Sequence, residues 1–174
     1  MKKLLLGILT LISGSVVFAQ NSVPIGQSSN AYSMLRPQQN QIFIDPALNT
    51  VGFIFRHNIA VYPGSNGRLR YSISTDAGVT WSNELGVLNN TFTTPARYPQ
   101  AWLYNPVGNS NPLSAYIVWA GPTIPSNFDG HVNGTAQVTT ANPVTTTENY
   151  QFQNSTSLIP GGLCESTPGT FWMV

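Results

Sequence analysis

The residues able to do chemistry in this chain are few and scattered. Across 174 positions there are six acidic residues, seven basic residues and two histidines. His57 and His131 have no second histidine or carboxylate at metal-ligand spacing, so each is expected in a loop or at a sheet edge, and no metal or other cofactor is expected. Asp129-Gly130 reads as a turn dipeptide. Glu84, Glu148 and Glu165 stand isolated, and no Ser-His-Asp order announces a nucleophile. Tyr98, Trp102, Tyr104, Tyr116 and Trp119 would suit either a sugar-stacking platform or a sheet interior, and the interior is expected.

Asp76 is the acidic residue with a defined setting, Ser74-Thr75-Asp76-Ala77-Gly78-Val79-Thr80-Trp81. Thr75 to Gly78 suits a tight hairpin connection in which Gly78 takes the left-handed conformation that other residues resist. The Asp76 carboxylate is placed to accept backbone N–H groups across the loop, with Ser74 and Thr80 adding hydroxyls. Trp81 is expected to bury its ring against neighbouring strands, contributing about 2–3 kcal/mol.

This stretch resembles the Asp box, Ser-x-Asp-x-Gly-x-Thr-Trp, at every fixed position. The resemblance implies a blade of a BNR-type, sialidase-like β-propeller, in which Ser74, Asp76, Gly78, Thr80 and Trp81 hold a turn. Sialidase chemistry, as the resemblance implies, needs an arginine triad for the substrate carboxylate, a Tyr–Glu nucleophile pair and an Asp acid/base. The first such arginine lies in an aromatic-Arg-Ile-Pro motif. Leu35-Arg36-Pro37 occupies a comparable place without the aromatic residue or the Ile, which leaves Arg36 as a weak candidate substrate ligand and no residue assigned as catalytic.

The elements that would carry this motif read as β-strands. Gln41 to Asp45 is a short strand ended by Pro46 and a turn at Leu48-Asn49, and Val51 to Arg56 is apolar on both faces. Pro63-Gly64 and Asn66-Gly67 mark turns. From Arg68 to Ser74, Leu69, Tyr71 and Ile73 alternate with polar residues, the period of a half-buried strand, and Leu85 to Leu88 reads as its return. Pro99 to Tyr104 and Ala115 to Ala120 then repeat the pattern with a period of about sixty residues. The expected architecture is all-β: a partial propeller of two to three antiparallel blades with one Asp-box hairpin, with a β-sandwich as the alternative. Blade one spans about 41–90, blade two about 97–156 and the start of a third 157–174, after an extended lead-in over 20–40. Ser166 to Trp172 resembles the box superficially but lacks the Asp. The chain stops in an apolar run, Phe171 to Val174, which is expected of a strand within a longer protein.

Residues 1–19 read as a signal peptide, with Lys2 and Lys3 ahead of an apolar run from Leu4 to Phe18 and cleavage after Ala19. No span of the mature chain is long enough to cross a membrane as a helix. Its five Arg against six acidic residues leave a net charge of −1 and no basic stripe, which disfavours nucleic acid. The single Cys164 is expected as a buried small hydrophobe. The low charge, Asn/Thr-rich surface and Phe-Ala-Gln at the cleavage site resemble exported proteins of Bacteroidetes-type bacteria. The expected function is therefore a secreted, non-catalytic binding or scaffold module with a glycan or cell-surface protein as partner. The alternative is the N-terminal part of an exo-sialidase or related glycoside hydrolase.

Overall fold

The computed structural model describes residues 22–29, 38–64, 67–90, 95–124, 128, 130–152 and 159–174. The expected signal peptide, Arg36, Asp129 and the Asn66 turn residue lie outside them. The described residues form antiparallel sheets, none closed into a barrel. Sheet one is a four-stranded meander of β1 (Ile42–Asp45), β2 (Thr50–Arg56), β3 (Leu69–Ser74) and β4 (Ser82–Gly86). Sheet two repeats it with β5 (Gln100–Tyr104), β6 (Tyr116–Thr123), β7 (Gly130–Gln137) and β8 (Thr146–Phe152). A hairpin of β9 (Leu163–Thr167) and β10 (Thr170–Met173) follows.

Local chemistry explains the connections. Asp45 caps a single 3-10 turn, its carboxylate accepting from the N–H groups of Ala47 and Leu48, and Asn49 closes that turn at φ 49°. Asn111 caps a second such turn ahead of β6.

One apolar core joins the two sheets. Ile54, Leu69, Tyr71, Ile73 and Leu85 of sheet one meet Ala101, Leu103, Ile117, Trp119, Val132 and Ala136 of sheet two. The first strands lie side by side, β1 against β5 and β5 against β9. Asn40 ties all three starts together: its carbonyl accepts from Ala101 N at 2.8 Å and its amide donates to Leu163 O at 2.9 Å.

Two sequence expectations change here. β3 is covered on both sides, with Ser72 and Ser74 as buried as Leu69, Tyr71 and Ile73. Residues of the lead-in lie over its second face: Ser72 Oγ donates to Ile25 O, and a Cβ on Gly26 would come within 2.6 Å of the Phe55 ring. The return strand starts at Ser82 rather than Leu85, because β4 is an edge strand whose polar residues satisfy the ladder on one side and water or the lead-in on the other.

Candidate functional site

The Ser74–Trp81 connection is a self-contained hydrogen-bonded turn. Ser74 Oγ donates to Asp76 Oδ1 at 2.7 Å and accepts from Gly78 N at 2.8 Å. Asp76 Oδ1 also accepts from Thr80 N at 2.8 Å, and Oδ2 accepts from Thr80 Oγ1 at 2.6 Å. Ala77 and Gly78 both have positive φ, 58° and 91°, the sign pattern of a hairpin turn that follows the strand twist. Ala77 N donates to Asn49 O at 2.7 Å, which fastens the turn to the β1–β2 connection. Trp81 is half-buried rather than sunk between strands, and its Nε1 donates to Gly78 O at 3.1 Å. The ring folds back over its own loop.

The bonds from Thr80 and Ser74 lower the Asp76 pKa to about 2. An acid that is ionised throughout the neutral range has no proton to donate, and both of its oxygens are occupied within the loop. Because the folded pKa is depressed, its stabilisation is present above the unfolded carboxylate range and is lost as pH falls through the folded value. Asp76→Ala is thus expected to melt a few degrees below the parent at pH 7. The gap should narrow as pH drops from about 4 towards 2. Thermal melts of both proteins across that range check this, and a pH-independent gap would refute the carboxylate's role.

The remaining sequence candidates are dispersed. His131 is an interior-strand residue, paired with Pro122 on β6 and Gln151 on β8, and His57 is buried just after β2. His131 is thus neither in a loop nor at a sheet edge, because strands cover both flanks of β7, whereas His57 lies in the loop expected for it, where the Tyr62 ring stacks on it at 5.9 Å. Cys164 is exposed on β9, since its side chain alternates with the inward Leu163. Trp119 is core, as expected, whereas Tyr116 is partly open to solvent. Glu148 and Glu165 are not isolated: Glu148 Oε1 accepts from Asn90 N at 2.6 Å, and Glu165 accepts from Trp102 Nε1 at 3.2 Å and Gly169 N at 2.8 Å. Among the described residues no three His, Cys, Asp or Glu side chains converge on a metal position, and no helix is long and apolar enough to cross a membrane.

Sequence reasoning missed a cluster around Glu84. Tyr62 OH donates to its Oε2 at 2.6 Å, Gln27 N to its Oε1 at 3.0 Å, and Arg70 to its carbonyl at 2.7 Å. Its own N–H donates to Ser72 Oγ at 2.9 Å. The Arg70 guanidinium lies 3.8 Å above the Tyr62 ring centre. Glu84 takes φ 55° in an irregularity of the β3–β4 ladder, which aims its carboxylate at these donors. The hydrogen bond to Glu84, with burial, raises the Tyr62 pKa, so the phenol stays protonated at neutral pH. The cluster clamps the lead-in and the 57–64 loop onto sheet one. Its partners are 12 to 57 residues from Glu84 in sequence, and no local pattern marks them.

The described residues also form a cleft of about 680 Å³ between sheet two and the β9–β10 hairpin. Strand register places His131 and Gln151, Asn133 and Asn149, and Thr135 and Thr147 in successive cross-strand pairs on its sheet wall. Phe171 stands on the hairpin's inner face with Leu163, whereas Trp172 pairs with Cys164 on its outer face. Trp172 is 61% exposed and its Nε1 donates to Ser166 Oγ at 2.8 Å. Comparison of the chain with protein-family models, with curated proteins and with solved structures finds no match.

Proposed function

We propose that the chain is part of an exported Asp-box β-propeller that serves as a non-catalytic binding or scaffold module. The observation that carries this reading is the succession of antiparallel meanders whose first strands lie side by side, the placement that radial blades require. The Ser74–Trp81 turn supports it, since every polar group of the motif serves the turn and none is left for a substrate. Residues 1–19 are the proposed export signal, and a glycan or cell-surface protein is the proposed partner.

The Tyr62–Glu84 pair gives the runner-up, the N-terminal part of an exo-sialidase, its one structural argument. Against it, Arg70 is committed to the Glu84 carbonyl and the Tyr62 ring rather than to an open carboxylate site. A fluorogenic sialoside decides between them. The expected result is hydrolysis no faster than in buffer. Turnover that disappears in Tyr62→Phe or Arg36→Ala would establish the enzyme instead.

A further inference from the structure

We infer that the cleft between sheet two and the β9–β10 hairpin is a binding groove for a short, uncharged oligosaccharide. The inference rests on the reading of the chain as a binding module and assigns that module its ligand class and its site. Its starting point is a mismatch between the two sheets. The face that sheet one turns to sheet two carries Ile54, Leu69, Tyr71, Ile73 and Leu85. The face that sheet two turns to the hairpin is different in kind. On β5 it is covered: Gln100 donates to Pro160 O at 3.1 Å, Trp102 bonds Glu165, and Tyr104 meets the edge of Phe171 at 5.8 Å. On β7 and β8 the same face presents Asn133, Thr135, Thr147, Asn149 and Gln151. A packed sheet there would bury amides and hydroxyls against apolar surface at a cost of roughly 1–3 kcal/mol for each unpaired group. Such a wall suits a ligand that itself carries many hydroxyls.

Three features narrow the class. Among the described residues lining the cleft there is no Asp, Glu, Lys or Arg side chain to pair with a carboxylate, sulfate or phosphate. Opposite the amides stands the Phe171 ring, on the hairpin face that also carries Leu163, an apolar surface suited to the C–H side of a sugar ring. His131, only 8% exposed, lines the cleft with an Nδ1 that has no partner, a buried polar atom that a ligand hydroxyl would satisfy. From His131 to Thr135 the cross-strand pairs extend about 13 Å, the reach of an oligosaccharide rather than a single sugar. A volume of about 680 Å³ is that of a small-molecule site.

Titration calorimetry of the purified chain against tetrasaccharides of glucose, galactose, mannose and N-acetylglucosamine, with 3′-sialyllactose as the charged comparison, tests this. At least one neutral tetrasaccharide is expected to bind, and to bind more tightly than the sialoside. Gln151→Ala and Asn149→Ala, both at exposed positions lining the cleft, should each weaken that binding about tenfold or more while leaving the melting temperature within a degree or two. Failure of all four sugars to bind at about 10 mM would overturn the inference. Binding that both variants retain would move the site elsewhere and leave the binding-module reading standing. Sedimentation showing a dimer that Asn149→Ala dissolves would assign the cleft to a second copy and also overturn it. Turnover of any of these sugars would remove the parent reading as well.

Discussion

Trp119→Ala is expected to lower the unfolding free energy by about 3–5 kcal/mol, the largest single-residue effect in the chain. The indole is fully buried in β6, between Ala101 on β5 and Gly134 on β7, in the core that joins the two sheets. Its small neighbours make room for it. A Cβ on Gly134 would lie 2.7 Å from the ring and would also collide with Thr147 O, so the glycine and the tryptophan are complementary. Nε1 donates to Thr146 Oγ1 at 3.3 Å, which fixes the ring's orientation and ties β6 to β8 across β7. Truncation leaves a cavity flanked by rigid strands that cannot close over it. Trp119→Phe keeps much of the volume and should cost about half as much. Urea denaturation with an unchanged m-value measures both variants, and a loss under about 1 kcal/mol for the alanine would show that the sheets do not depend on this wedge.

The second large effect is expected at Asn89, where a polar side chain is fully buried just past β4. Its Oδ1 accepts from Leu69 N at 2.7 Å and its Nδ2 donates to Gly67 O at 2.7 Å. These bonds fasten the start of β3, to which Leu88 N also donates through Leu69 O at 2.9 Å. Asn89→Leu keeps the bulk and removes both bonds. Gly67 O retains Ala96 N as a donor at 2.9 Å, but the Leu69 N–H is left buried and unpaired. The expected loss is about 2–3 kcal/mol, dominated by that orphaned donor. Asn89→Asp supplies an acceptor for Leu69 N but sets a buried carboxylate oxygen against Gly67 O, and at neutral pH should be at least as destabilised as the leucine variant. The exposed neighbour Asn90 replaced by Ala should change stability by less than about 0.5 kcal/mol. A leucine variant as mild as that control would show that the Asn89 clamp does not hold β3.

These two positions and the Ser74–Trp81 turn have one physical theme. Charged residues make up only 7% of the chain, so Asn, Ser and Thr side chains tie the strands together by bonding to backbone. Glu84 is the charged counterpart, holding Gln27, Tyr62 and Arg70 together. A sialidase reading would use a Tyr–Glu pair for chemistry. Here the same pair of residue types clasps a loop and the lead-in to a sheet edge.

From sequence alone, alternation in Leu69, Tyr71 and Ile73 and the apolar runs in Val51–Arg56 and Ala115–Ala120 determined where the main strands run. Residue chemistry determined the clasp of Asp76 with Ser74 and Thr80 and the left-handed turn at Gly78, because those bonds span at most four positions. The tertiary structure alone decided what covers each strand. Period-two patterning shows which side of a strand is apolar but not what lies over the other side. Ser72 therefore reads as solvent-facing until Ile25 lies across it, and Ser74 until its own turn closes over it. His131 read as a loop or sheet-edge residue and Glu84 as isolated because their neighbours come from strands and loops distant in sequence, and Cys164 read as buried because residue type does not say which face of β9 turns inward. The amide-lined cleft emerged only when β7 paired with β8 and the β9–β10 hairpin folded opposite them. No local pattern encodes that juxtaposition, because it is made by strand register and chain reversal rather than by residue type.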